Sequence, residues 1–139
     1  MAQEMRSPIE SGCPDAFQYM HPVMRKNYGQ WAYHEDPQPG VLLHVSNNGD
    51  KIWTVRAGTQ RILDVFTLRK LCDIGDQYGE GYIHFTIRSN IEYQVADEAK
   101  VQPLIKAIED AGFIVGGTRN SVAMLSHTQG WLHCDIPGT

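Results

Sequence analysis

Five side chains in two short stretches, Thr54, Arg56, His84, Thr86 and Arg88, alternate with apolar neighbours, and Arg61 and Arg119 stand in adjoining connections. If both stretches are strands of one sheet, this alternation puts the five on a common face. A guanidinium presents a planar fork of N–H donors that matches a carboxylate, so several Arg and Thr side chains on one concave face would suit a polycarboxylate ligand. The same residues would equally make a solvated outer face, since charged side chains are ordinary on the open side of an antiparallel sheet. A second cluster is His127-Thr128-Gln129-Gly130-Trp131-Leu132-His133-Cys134, with two imidazoles, a thiol, a large ring and a glycine in succession. Cys134 is either a thiolate ligand or a small buried hydrophobe. A mononuclear zinc site from His127, His133 and Cys134 is disfavoured, because no Cys-x-x-Cys or second pair of ligands accompanies it. Adjacent strand residues point to opposite faces, which also removes His133 as a base for Cys134. Cys72 falls on an apolar helical stripe and reads as core, and Cys13 precedes a proline near a loose terminus. Gly79-Glu80-Gly81 leads into a strand rather than a helix, so it lacks the geometry of a dinucleotide-binding turn.

The chain that must position these groups has 139 residues, 42% hydrophobic and 20% charged, enough for one globular domain with a substantial core. That composition excludes a disordered, collagenous or coiled-coil chain. Sixteen acidic against twelve basic residues give a net charge of −4, so there is no polycationic face for phosphate backbones or anionic lipid, and nucleic acid is excluded as a partner. No apolar run approaches the roughly 20 residues of a membrane span, and MAQEMRSPIESG lacks a secretory h-region, so a cytoplasmic location without membrane insertion is expected. Three cysteines at wide spacing are not a disulfide framework.

Residues 1–40 read as an irregular N-terminal arm, interrupted by Pro8, Pro14, Pro22, Pro37 and Pro39 yet rich in rings that need burial, on this domain or on a partner subunit. From Gly40 the pattern is regular. VLLHV (41–45) and KIWTVRA (51–57) flank Asn48-Gly49 and predict a β-hairpin. Thr67 would cap a helix carrying Leu68, Leu71, Cys72, Gly75 and Tyr78 on its core face, stopped by Gly79 and Gly81. YIHFTIR (82–88) should be a half-buried strand with Ile83, Phe85 and Ile87 inward. A three-residue loop, Arg88-Ser89-Asn90, would set Ile87 opposite Ile91, with Asn90 in the left-handed conformation. Val101, Leu104, Ile105, Ile108 and Ala111 mark a second helix closed by Gly112, and FIV (113–115) a last short strand. The order β-β-α-β-β-α-β predicts an α+β fold, a ferredoxin-like half domain whose antiparallel sheet has its helices on one face.

Taken together, HPVMRKNYGQWAYHE (21–35), PGVLLHV (39–45), GDKIWTVRAG (49–58), LCDI (71–74), FTIRSNIEYQVADEA (85–99), GGT (116–118) and SHTQGWLHCDIP (126–137) resemble the beta subunit of dissimilatory sulfite reductase. The N-terminal wording is most similar to the sulfur-oxidising, reverse-acting branch. The resemblance implies a half domain of the sulfite/nitrite reductase type over 41–118, an arm over 1–40 that contacts another subunit, and the start of a siroheme/[4Fe-4S]-binding domain over 119–139. It implies an oxidoreductase that interconverts sulfite and the sulfide level, with siroheme and a [4Fe-4S] cluster as cofactors. The implied partners are an alpha subunit, in an alpha2-beta2 assembly, and electron-transfer proteins.

Siroheme is rimmed with carboxylates, and the resemblance turns the donor face into its candidate seat, with Arg56, Arg61, Thr86, Arg88 and Asn90 as cofactor-binding residues. His127, Thr128, Gln129 and Gly130 would approach the macrocycle, and Cys134 would be the first cluster ligand. The family's remaining ligands, on a Cys-Cys-x-x-x-Cys segment, and its extra ferredoxin domain would follow Thr139, so these residues are expected to be an N-terminal fragment. One thiolate does not hold a cubane normally anchored by four, and the fragment alone is expected to be inactive. No catalytic residue is assigned, because the family's alpha subunit supplies much of the substrate-binding set. Some members carry Trp after Gly-Gly-Thr where this chain has Arg119. The competing expectations are a non-enzymatic ferredoxin-like module that binds an anion or a protein, and an assimilatory sulfite or nitrite reductase, against which HTQGWLHC argues.

Overall fold

The computed structural model describes residues 15–60 and 62–123. Arg61, His127, Thr128, Gln129, Gly130 and Cys134 therefore lie outside the described residues, as does Cys13. Six strands, β1 (Trp31–Gln38), β2 (Val41–Ser46), β3 (Lys51–Gly58), β4 (Tyr82–Phe85), β5 (Asn90–Val95) and β6 (Ile114–Val115), combine with helices α1 (Pro22–Lys26), α2 (Val65–Tyr78) and α3 (Val101–Asp110). The sheet is antiparallel throughout, in the order β1-β2-β3-β5-β4, and β6 also pairs with β3. From β3 onward the chain is a β-α-β-β-α-β unit with spatial order β6-β3-β5-β4, the ferredoxin-like arrangement the periodicity predicts. β2 and β6 share one edge of β3: β2 pairs along residues 51–55, and β6 takes over at Ala57 and Gly58.

One sheet face and two helices enclose the core. Trp53, Val55, Ala57, Ile91, Tyr93 and Val95 pack against Leu71 and Ile74 of α2 and Val101, Leu104 and Ile108 of α3. Tyr93 is fully buried, yet its hydroxyl donates to the Leu71 carbonyl at 3.0 Å, which removes the cost of an orphaned phenol. The β2–β3 hairpin forms where Asn48-Gly49 predicts it, with Gly49 at φ +88° and the Asn48 Oδ1 accepting from the Asp50 amide at 3.0 Å. Gly40 links β1 to β2 at φ +80°, and a Cβ there would stand 2.5 Å from the Gly116 nitrogen. Only glycine allows the two chain segments flanking β3 to meet.

Four local expectations need correction. Helix α2 starts two residues before Thr67, because Asp64 caps it by accepting from the Thr67 amide at 2.6 Å. Its inward stripe is Leu71, Ile74 and Gly75, and Cys72, a 100° step aside, is exposed rather than core. Strand β4 ends at Phe85 instead of Arg88, with Phe85 opposite Ile91. The loop has four residues, Thr86-Ile87-Arg88-Ser89, and Ser89 rather than Asn90 takes positive φ, at +64°. A shift of two residues keeps apolar side chains opposite apolar ones, so parity alone could not set the register. Ile87 is left at the tip, fully exposed.

The arm is also not irregular throughout. Residues 31–38 form β1, an edge strand that tolerates Pro37 and carries register shifts after Trp31 and Glu35. Ahead of it, His21 is buried, caps α1 through Nδ1, and places Nε2 2.7 Å from Glu80. Its ring meets Tyr82 edge-on at 4.8 Å, on the face opposite α2 and α3. The described part of the arm thus packs on the domain, where Asn27 also donates to Asp50 at 2.9 Å.

Candidate anion-binding site

Cross-strand register sets the composition of the face turned away from α2 and α3. Thr54 stands opposite Gln94, Arg56 opposite Glu92, His84 opposite Glu92 from the other side, and His44 opposite His34. Thr54, Arg56 and His84 share this face as predicted, whereas Thr86 and Arg88 sit in the turn at its rim. The face is solvated only in part. Thr54, Asn90, Glu92 and Gln94 are all buried, and buried polar groups must be paired or stand as sites awaiting a partner.

The charges converge at the sheet end where β3, β5 and the chain after β6 meet. Arg56 Nε pairs with Glu92 Oε2 at 2.5 Å, and its Nη1 donates to the Gly117 carbonyl at 3.1 Å. Arg88 Nη2 donates to the same carbonyl at 2.6 Å. Two guanidiniums therefore meet at one oxygen, 61 and 29 residues distant in sequence. Gly117 permits the approach: at φ +85° it is left-handed, and a Cβ would fall 2.8 Å from Asn90 Nδ2. Asn90 donates its amide to Thr86 Oγ1 at 3.1 Å, while its own Oδ1 is buried without a hydrogen-bond partner among the described residues. Thr59 Oγ1 donates to the Ser89 carbonyl at 2.7 Å and holds the turn against the end of β3.

Arg119 does not join this group. Its Nε lies 3.1 Å from Asp36 Oδ2, and Thr118 Oγ1 donates to Asp36 Oδ1 at 3.2 Å while accepting from the Gly40 amide, so this segment is fastened to β1. Farther along, burial pushes the His44 imidazole below its ordinary value, an effect the charge of Glu92 opposes and those of His34 and Arg56 reinforce. Its Nε2 is 3.5 Å from Thr54 Oγ1. Glu92, Gln94 and the Gly117 carbonyl were missed as site groups, though the alternation of IEYQV across from Arg56 carried the signal for the first two.

Among the described residues, no three His, Cys, Asp or Glu side chains are grouped to hold a metal ion. This set of groups, two guanidiniums, one threonine hydroxyl and a buried amide trimmed by one carboxylate, can serve as an anion-recognition site. The guanidinium and hydroxyl donors fit the carboxylate rim of a tetrapyrrole in kind and in sign, whereas the orphaned Asn90 Oδ1 is an acceptor that calls for a donor.

Residues 44–111 match the nitrite/sulfite reductase ferredoxin-like half domain. The chain is 46% identical over 125 residues to the dissimilatory-type sulfite reductase subunit beta of Archaeoglobus fulgidus, covering 85% of this chain and 34% of that protein. It is 44% identical over 129 residues to the subunit of the same name from Nitratidesulfovibrio vulgaris, covering 88% and 34%. A third, from Megalodesulfovibrio gigas, is 37% identical over 146 aligned positions, covering 99% and 56%. The chain thus spans about a third of the length of the first two relatives.

Proposed function

Since the chain carries the nitrite/sulfite reductase ferredoxin-like half domain and is kin to the beta subunits of dissimilatory-type sulfite reductases, we propose that its open sheet face helps seat siroheme in an enzyme interconverting sulfite and the sulfide level. The observation that carries this reading is the convergence of Arg56 and Arg88 on the Gly117 carbonyl beside buried Asn90. Arg88, exposed at the turn, would meet a carboxylate of the macrocycle first, and Arg56 would supply a fixed donor deeper in the face. Thr86 and Asn90 would contribute hydrogen bonds at the same rim. Arg61, His127, Thr128, Gln129 and Gly130 would complete the seat, and Cys134 would ligate a [4Fe-4S] cluster. Siroheme, when bound, supplies the iron at which the oxidation state of sulfur changes. The residues of this chain bind and orient its edge and replace the water that would otherwise solvate its carboxylates.

Residues 1–40 would contact the alpha subunit in an alpha2-beta2 assembly in the cytoplasm, residues 41–118 would form the half domain, and residues 119–139 would begin the siroheme/[4Fe-4S]-binding domain. Electrons would pass to and from soluble electron-transfer proteins. A polypeptide of these 139 residues alone supplies one cluster thiolate and would be inactive. The test is to co-produce the full-length protein with its partner subunit and replace Cys134→Ser. Cluster iron and acid-labile sulfide should fall while the subunits still assemble; full cluster content in the variant would refute the assignment.

A further inference from the structure

Glu92 is a buried carboxylate on a face that no core packing requires to be charged. Its strand neighbours on that face, Asn90 and Gln94, are neutral, and the apolar core lies on the other side of the sheet. Its residue exposure is 5%, so the charge is costly unless fully compensated. The compensation is specific: Arg56 Nε at 2.5 Å on one oxygen, and His84 Nε2 at 3.6 Å on the other. Gln94 Nε2 lies 3.2 Å from His84 Nδ1, and with Gln94 donating, Nδ1 accepts and the ring proton sits on Nε2, facing Glu92. A buried ion pair is poor evidence for stability, since apolar replacements are often as stable; its surer use is to fix geometry.

We propose that Glu92 is a positioning residue for the macrocycle edge, acting through Arg56; the inference rests on the siroheme reading above. With Nε held by Glu92 and Nη1 by the Gly117 carbonyl, the guanidinium plane has no rotational freedom left, and the direction of Nη2 is set. Nη2 makes no hydrogen bond among the described residues, so it stays available as a donor in a plane fixed before a ligand carboxylate arrives. Holding it there beforehand removes the ordering cost that a free arginine would meet on binding. The negative charge has a second effect. It lets Arg56 and Arg88 share one carbonyl without leaving an uncompensated double positive charge when no ligand is bound.

The test uses the full-length protein co-produced with its partner subunit and reads siroheme per complex from its absorbance after gel filtration, together with the Soret position. Glu92→Ala should lower siroheme retention as far as Arg56→Ala does, about ten-fold for one lost charge-assisted hydrogen bond. The double variant should retain as much as Arg56→Ala alone, because one residue works through the other. Glu92→Gln keeps an acceptor for Nε but not the charge that offsets the two guanidiniums, so it should restore retention only part of the way to the parent level. Paired Arg56→Met and Glu92→Leu removes both buried charges together, so it should assemble and retain no more siroheme than Arg56→Ala. Parent-level retention in Glu92→Ala or in the paired variant, or losses that multiply in the double variant, would overturn the inference while leaving the siroheme reading intact. If Arg56→Ala itself retained siroheme at the parent level, or the parent complex held none, the reading would fall and the inference with it.

Discussion

Arg88 and Arg119 are both exposed arginines near the end of the sheet, and their partners separate them. Arg88 points to the Gly117 carbonyl beside Arg56, whereas Arg119 is drawn to Asp36 on β1. Replacing Arg88→Ala should therefore lower the siroheme content of the assembled protein. Arg119→Ala should leave that content unchanged but, because its partner Asp36 has a side chain only 7% exposed, cost about 1 to 3 kcal/mol of stability. Absorbance per complex and thermal unfolding read the two effects separately. Motif and alternation placed Arg56, His84 and Arg88 at one site from the residues alone. They could not reveal that Arg56 is half neutralised, because the charge of Glu92 reads as one more polar strand residue until cross-strand register sets it opposite.

At the scale of elements, the contact between the short helix α1 and the start of β4 is an electrostatic clasp. Glu80 loses hydration in the fold, which alone would raise its pKa. Hydrogen bonds from His21, from the Ala96 and Asp97 amides and from Lys100 outweigh that loss and leave it lowered. A carboxylate depressed in the folded state stabilises the fold above its unfolded pKa and loses that contribution as pH falls through the lowered folded value. Stability should thus decline as acid titrates the carboxylate range, and Glu80→Gln should flatten part of the decline in thermal unfolding measured across pH. Glycines provide a second contrast. Gly49 and Gly40 both have positive φ, but only Gly40 faces backbone, so Gly49→Ala should cost about 1 to 2 kcal/mol for its left-handed conformation and Gly40→Ala clearly more, as read by denaturant midpoints. The β2–β3 hairpin, both long helices and β6 were legible because each has a strong local signal: Asn-Gly, a helical stripe, a terminal glycine. β1 was not legible, since its stability comes from pairing with β2 rather than from its own alternation, and neither was the end of β4, where two registers satisfy the same apolar pattern.

Across the described residues, α2, α3 and one sheet face form the core, which leaves the polar groups to the other face, where α1 also packs. That division makes a prediction for each side. Leu104, fully buried between α3 and the sheet, should cost about 2 to 5 kcal/mol when replaced by Ala, with no specific effect on siroheme beyond lost folding. Residues of the open face should do the reverse. The topology itself was readable from the order of elements, while the seat was only half readable, because it depends on Gly117, a loop carbonyl that no side-chain pattern announces. The measurement that bears most directly on this division is the siroheme content of the full-length, partner-assembled protein with Arg56→Ala and Arg88→Ala combined. An assembled complex nearly devoid of siroheme, with thermal unfolding close to that of the siroheme-free parent, is the result expected here. A complex that still carries the parent complement of siroheme would contradict it.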